Sequence, residues 1–135
     1  MKSFQKSIIF DRDNTLIKDY GYTHKIEHLR WMPGALSMLR RLNNKNFGLF
    51  IATNQGGIAL GKFSEREMLI FHYEMSNQAL QFKIKFIDIM SCKHHQKSKD
   101  HKKRYCYYRR NKFTRRSIRY WRIRIKNFRR NKSRG

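Results

Sequence analysis

Three short apolar runs alternate with two helical patterns along the first 90 residues, and this order restricts the fold more than any other feature of the sequence. Each run is too short to form a helix and has the composition of a buried strand. The strand candidates are residues 7–10, 47–52 and 84–90. The order strand, helix, strand, helix, strand predicts an α/β fold with a Rossmann-like parallel sheet.

The two connecting segments have the pattern of amphipathic helices. Apolar residues spaced three and four apart follow Pro33 and Gly34, and the polar residues between them fall on the opposite face. The apolar positions of this first helix are Ala35, Leu36, Met38, Leu39 and Leu42. Ser64 and Glu67 have capping-box spacing and predict a second helix that ends near Leu80.

Polar side chains follow the first two strand candidates directly. Asp11 and Asp13 leave the first strand, and Thr53, Asn54 and Gln55 leave the second. In a parallel sheet, ligands bind beyond the carboxyl ends of the strands. We therefore expect these five residues to share one site.

An Asp-x-Asp pattern at a strand exit suits phosphoryl transfer. One carboxylate, Asp11, can accept a phosphoryl group, and the second, Asp13, can protonate the leaving group and then activate water. Mg²⁺ would offset the two negative charges, and Thr53 would donate its hydroxyl to the phosphate beside the backbone N–H groups of Asn54 and Gln55. The alternative is that the two aspartates are turn and capping residues of a loop that follows the strand.

Several segments together resemble one subgroup of the haloacid dehalogenase superfamily, the heptose-bisphosphate and histidinol phosphatases. The resemblance extends from about Ser7 to Cys92 and depends on two motifs at matching positions with a similar segment between them. The motifs are residues 10–17 and 53–65, and the segment between them includes residues 19–22 and 31–35.

This resemblance implies a role for each site residue. Asp11 is the expected nucleophile, Asp13 the general acid and base, and Thr53 the phosphate ligand. Asp11 and the backbone carbonyl of Asp13 are the expected Mg²⁺ ligands. Asn14 stands where the family most often has glycine.

Cysteine and histidine residues after the third strand suggest a zinc site. Cys92, His94 and Cys106 resemble the zinc loop of the same subgroup, which has a fourth ligand where this chain has Tyr108. His95 or His101 could replace that ligand. The alternative is that the two cysteines are unrelated residues among histidines.

Charge divides the chain into two unlike parts. The formal net charge is +23, and residues 101–135 hold 16 of the 32 lysines and arginines but none of the nine acidic residues. We expect a partial phosphatase domain over residues 1–108 and a basic segment over residues 109–135, either disordered or out of frame with the family sequence.

The basic segment has two further interpretations. Arg109 and Arg110 stand where the subgroup has a basic pair, so they are candidate phosphate contacts. Arginines alternating with aromatic residues also suit nonspecific binding to single-stranded nucleic acid. Nucleic-acid binding is therefore the alternative of another functional class.

The predicted activity is that of a magnesium-dependent phosphomonoesterase acting through an aspartyl phosphate. The resemblance favours removal of the 7-phosphate from D-glycero-D-manno-heptose 1,7-bisphosphate, with histidinol phosphate as the alternative substrate. The family adds a later acidic metal ligand, and no acidic residue follows Asp100. We therefore expect weak or absent activity and poor folding.

The remaining composition excludes other classes of protein. Two cysteines cannot form a disulfide scaffold. Neither a membrane-spanning apolar stretch nor the apolar core of a signal peptide is present. We expect a cytoplasmic protein with no membrane partner.

Overall fold

A computed structural model describes Phe4 and residues 6–94 of the chain. Within this part, three strands alternate with two α-helices, and a short 3-10 helix, Ile26–His28, precedes the first of them. The elements in chain order are β1 (Lys6–Asp11), α1 (Ala35–Asn44), β2 (Phe47–Asn54), α2 (Glu65–Gln81) and β3 (Phe86–Cys92). The predicted order of elements is confirmed.

The three strands form one parallel sheet in which β2 lies between β1 and β3. Asp11, the last residue of β1, pairs with Ala52 of β2. Thr53, the next residue of β2, pairs with Ser91 of β3. The carboxyl ends of all three strands therefore meet at one edge of the sheet.

The second strand extends two residues further than the sequence pattern predicts, and the third strand begins and ends two residues later than predicted. Thr53 and Asn54 remain inside β2 because they pair with Ser91 and Cys92 of β3. Ile84 is fully buried but precedes β3, and its backbone N–H donates to the carbonyl of Ala79 at 3.0 Å. The apolar character of Ile84 therefore did not show that this residue lies in the turn before β3 and not in the strand.

Local signals set the start of both helices. Gly34 precedes α1 with φ of 78°, in the left-handed region that glycine adopts at little cost. The predicted capping box of α2 is confirmed, since Ser64 accepts from the Glu67 backbone and Glu67 accepts from the Ser64 backbone. Met38 was expected on the apolar face of α1 but is 40% exposed, because it lies one residue before the buried Leu39.

The core lies between the sheet and the helices and reaches the loop that follows β1. Its members come from all three regions, so the loop after β1 is anchored by its own apolar residues. They are Phe10, Leu16, Ile17, Leu29, Ala35, Leu39, Leu49, Ile51, Phe71, Met75, Ala79 and Ile84.

One side of α2 carries large apolar side chains that are exposed to solvent. Leu69, Ile70, Tyr73 and Leu80 are each about half exposed or more. In the described part of the chain, no helix combines the length and the apolar character needed to span a bilayer.

Candidate active site

A tight turn follows β1 and brings its polar residues to the carboxyl edge of the sheet. The carbonyl of Arg12 accepts from the N–H groups of Leu16 and Ile17, at 3.0 and 3.1 Å. Asn14 has φ of 57°, and its side chain accepts from the backbone N–H of Asp19 at 3.0 Å. Asparagine is one of the few residue types other than glycine that adopt this conformation readily, which explains how this turn forms without glycine.

Asp11 lies at the solvent side of this turn. Its side chain is exposed, and Oδ1 accepts from the backbone N–H of Arg12 at 2.9 Å. An ionised carboxylate has about four acceptor sites and is an oxygen ligand of the type that Mg²⁺ prefers.

Asp13 lies deeper than Asp11 and is held from two sides. Its Oδ1 accepts from Arg12 Nε at 2.9 Å and lies 2.8 Å from Arg12 Nη2. Its Oδ2 accepts from Gln55 Nε2 at 3.3 Å. Burial raises the pKa of Asp13 above its ordinary value, and the Arg12 charge opposes that change without reversing it. A raised pKa suits a group that has to give up a proton as an acid.

Thr53 and Gln55 connect the end of β2 to Asp13. Gln55 Nε2 also donates to Thr53 Oγ1 at 2.7 Å, so one side-chain amide joins Thr53 to the carboxylate. Thr53 is 1% exposed. Because its oxygen already accepts a hydrogen bond, the Thr53 hydroxyl hydrogen is oriented away from Gln55 and can donate to another group.

One detail of the predicted phosphate site is wrong. The backbone N–H of Gln55 was expected to face a phosphate group, but it donates to the carbonyl of Cys92 at 2.7 Å. This hydrogen bond continues the pairing between the ends of β2 and β3 and occupies that donor. Asn54 is exposed at the same edge, as a substrate-binding residue has to be.

Arg12 is the site residue that the sequence pattern did not single out. It is 1% exposed, although arginine is seldom fully buried without partners. Its Nη2 donates to the carbonyl of Thr23 at 2.8 Å, and its Nη1 lies 3.1 Å from His72 Nε2 on α2. The only available signal was its position between two aspartates at the exit of a buried strand.

Two loops pack against each other beside the carboxylates. The ring of His24 stacks on Phe63, with centroids 4.6 Å apart. A Cβ on Gly57 would lie 2.4 Å from the Phe63 ring and 2.7 Å from the Tyr22 ring, so only glycine fits there. The loop of residues 56–61 follows Gln55 directly in the chain.

The oxygen donors at the strand ends fit Mg²⁺ better than they fit a softer metal. Asp11 offers a carboxylate oxygen and Asp13 its backbone carbonyl oxygen, and in residues 6–94 no group of three or more acidic, histidine or cysteine side chains converges to add further side-chain ligands. Mg²⁺ is commonly bound by one or two carboxylates together with waters and substrate phosphate. The residues therefore fit the ion.

Two of the predicted zinc ligands lie close together at the end of β3. Cys92 Sγ and His94 Nδ1 are 3.6 Å apart, and Cys92 is buried. Cys106 lies outside the described residues. Arg109, Arg110 and the whole basic segment 109–135 also lie outside them, so the two-part organisation and nucleic-acid binding stay predictions.

Known proteins resemble this chain over the same region. The family model of polynucleotide kinase 3 phosphatase matches residues 6–129. The D-glycero-beta-D-manno-heptose-1,7-bisphosphate 7-phosphatase of Haemophilus influenzae is 37% identical over 101 residues, which are 75% of this chain and 55% of that protein. The chain thus spans about half the length of the curated relatives that it matches.

Solved structures show the same fold. The D,D-heptose 1,7-bisphosphate phosphatase of B. bronchiseptica, in complex with magnesium and phosphate, is 27% identical and superposes with a TM-score of 0.66 over 71% of this chain and 54% of that one. A Mesorhizobium loti protein described as a HAD-like phosphatase is 21% identical, with a TM-score of 0.62 over 72% of this chain and 46% of that one. The parallel sheet with its helices is therefore the fold of haloacid dehalogenase-type phosphatases.

Proposed function

The chain belongs to the polynucleotide kinase 3 phosphatase family, and on that premise we propose that its strand ends form a phosphomonoesterase site with Asp11 as the nucleophile. One observation supports this most strongly. The Gln55 side chain bonds both Thr53 at the end of β2 and Asp13 after β1. The two motifs thereby become one connected group of side chains.

Asp11 has the position that the attacking group requires. It is the exposed carboxylate at the edge of the sheet, where its oxygen can approach a phosphate from solvent. Its oxygen forms a bond to phosphorus while the ester P–O bond breaks, and the electron pair of that bond goes to the ester oxygen. The product is an aspartyl phosphate.

Asp13 acts in both halves of the reaction. It gives a proton to the departing alkoxide, and it then takes a proton from the water that attacks the aspartyl phosphate. The second step restores the Asp11 carboxylate and releases inorganic phosphate. The burial that raises the pKa of Asp13 increases the fraction that begins the cycle protonated.

Thr53 and the magnesium ion stabilise the negative charge of the phosphate. The Thr53 hydroxyl donates to a phosphate oxygen, and Asn54 lies beside the same position. Mg²⁺, held by the Asp11 carboxylate and the backbone carbonyl of Asp13, would lower the repulsion between the phosphate and the two carboxylates. Arg109 and Arg110 remain candidate contacts for the rest of the substrate.

The proposed substrate is a small sugar phosphate, with the 7-phosphate of D-glycero-D-manno-heptose 1,7-bisphosphate preferred. The names of the curated relatives support this choice. Histidinol phosphate is the alternative from the same subgroup. Because the matching family model is described as polynucleotide kinase 3 phosphatase, a polynucleotide 3′-phosphate serves as a third substrate for comparison.

We also propose that Cys92 and His94 are two ligands of a zinc ion. A buried thiol 3.6 Å from an imidazole nitrogen supports this assignment, since thiolate and imidazole are the usual zinc ligands. The zinc content of the purified chain and of Cys92→Ser tests it. Equal content in both proteins would contradict it.

The proposed activity is tested by phosphate release from three substrates in the presence of Mg²⁺. We expect release from the heptose bisphosphate to exceed that from histidinol phosphate and from a 3′-phosphorylated oligonucleotide, and to be lost in Asp11→Asn. Arg40→Lys, a change on the exposed face of α1, is the matched control. Release that persists in Asp11→Asn would contradict the proposal.

A further inference from the structure

We propose that Arg12 is a positioning residue that fixes the orientation of the Asp13 carboxylate, and that His72 on α2 holds Arg12 in place. The inference rests on the proposed function, since it assigns the proton of that reaction to one oxygen. It concerns the residue between the two aspartates and a helix residue 60 positions away.

Both contacts between Arg12 and Asp13 converge on a single carboxylate oxygen. Arg12 Nε lies 2.9 Å and Nη2 lies 2.8 Å from Asp13 Oδ1. Two donors on one oxygen restrict rotation of the carboxylate more than one donor does. The other oxygen, Oδ2, has a single long contact, 3.3 Å from Gln55 Nε2.

This arrangement assigns the proton transfer to Asp13 Oδ2. Oδ2 gives its proton to the ester oxygen as the ester P–O bond breaks. It takes one proton from water as the water oxygen bonds to phosphorus and the electron pair of the Asp11–phosphate bond returns to Asp11. Oδ1 stays with Arg12 throughout, so the carboxylate does not have to turn between the two steps.

His72 accepts a hydrogen bond from the Arg12 nitrogen that does not contact Asp13, so this buried donor also has a partner. Its Nε2 lies 3.1 Å from Arg12 Nη1, and the ring is 6% exposed. A guanidinium carries only donors, so Nε2 has to accept and the ring proton has to lie on Nδ1. Burial, followed by the charge of Arg12, lowers the pKa of His72 to about 3, in agreement with a neutral ring.

Two further contacts fix the plane of the guanidinium. Arg12 Nη2 donates to the carbonyl of Thr23 at 2.8 Å, and Arg12 Cζ lies 5.0 Å from the centre of the Phe71 ring. Phe71 precedes His72 on α2, so the helix contacts both the face and the edge of the guanidinium. The position of α2 is thereby coupled to the orientation of Asp13.

The first arm of the test measures how the rate of phosphate ester hydrolysis depends on the leaving group. We compare the full chain with Arg12→Lys, His72→Leu, His72→Gln and the exposed control Arg40→Lys, using p-nitrophenyl phosphate and an alkyl phosphate. A nitrophenolate departs without a proton, whereas an alkoxide requires one. We measure kcat/KM, which reports the steps up to departure of the leaving group, and expect Arg12→Lys and His72→Leu to lower it at least about tenfold more for the alkyl phosphate than for the aryl phosphate. His72→Gln keeps a hydrogen-bond acceptor, so its rate with the alkyl phosphate should fall less than that of His72→Leu.

The second arm needs no turnover. Three-bond couplings to the Asp13 carboxyl carbon report its χ1 rotamer by NMR. We expect one rotamer in the full chain and in Arg40→Lys, and averaged rotamers in Arg12→Lys and His72→Leu. If Arg12→Lys does not fold, the two His72 variants decide the question.

The outcomes separate the two proposals. Absence of phosphate release from every substrate refutes the proposed function, and the couplings then decide the inference alone. Equal loss with both esters overturns the inference, and so does a single Asp13 rotamer in the folded Arg12→Lys or His72→Leu variant.

Discussion

The side-chain amide of Gln55 lies 3.3 Å from Asp13 Oδ2, although the two residues are 42 positions apart. This contact spans the ends of two neighbouring strands. It makes the position of Asp13 depend on how β2 ends as well as on the turn after β1.

Replacing Gln55 tests that dependence. Gln55→Ala removes the hydrogen bonds to Asp13 and Thr53, and we expect the free energy of unfolding to fall by about 1 kcal/mol. Phosphate release should fall roughly tenfold because two catalytic groups lose a shared partner. Urea unfolding and a phosphate assay measure both effects, with the exposed Gln81→Ala as control. Equal behaviour of the two variants would show that the link has no functional role.

Asn14 tests the backbone conformation of the turn. Asn14→Ala should lower the free energy of unfolding by about 1–2 kcal/mol, because alanine disfavours the left-handed conformation observed at φ of 57°. Asn14→Gly should cost less, since glycine adopts that conformation readily. Thermal unfolding of both variants gives the comparison, and a glycine variant less stable than the alanine variant would refute this explanation.

Gly57 tests the packing of the two loops beside the site. A methyl group there would lie 2.4 Å from the Phe63 ring, so Gly57→Ala should cost about 1–3 kcal/mol of stability. In a chain that already carries Phe63→Leu, the same Gly57→Ala change should lower the free energy of unfolding by less, because the ring that the methyl group would meet is absent. Urea unfolding of the three variants measures the coupling, and additive losses would contradict the predicted clash.

The lowered pKa of His72 predicts one component of the pH dependence of stability. Its pKa is lowered to about 3 in the folded chain, so the unfolded chain binds the proton more readily. The stability associated with the neutral ring is present above about pH 6.5 and is lost as the pH falls toward 3, by at most about 1.4 kcal/mol per pH unit.

The comparison with His72→Gln isolates this component. We expect the full chain to lose stability relative to the variant as the pH is lowered from 7 to 4, measured by urea unfolding at each pH. A difference between the two proteins that does not change with pH would contradict the assigned cause.

Local patterns were sufficient to predict most of the fold. The apolar runs and the capping box at Ser64 and Glu67 depend on neighbouring residues, and each appears in the structure. The grouping of Asp11, Asp13 and Thr53 at one edge followed from the parallel order of the strands.

The rest depends on contacts between distant residues. Nothing near Arg12 in the sequence indicates that His72 accepts from it, and an arginine between two aspartates has the appearance of a surface residue. The backbone hydrogen bond from Gln55 to Cys92 likewise depends on how far β3 extends. Such details follow from tertiary packing, which a single sequence does not reveal.

The central claim is that Asp11 accepts the phosphoryl group, and single-turnover capture tests it most directly. The chain is mixed with labelled heptose bisphosphate and Mg²⁺, quenched in acid and digested, and the labelled peptide is identified by mass spectrometry. We predict label on the peptide that contains Asp11, and none in Asp11→Asn. Phosphate release without any label at Asp11, or equal labelling of Asp11→Asn, would contradict the account.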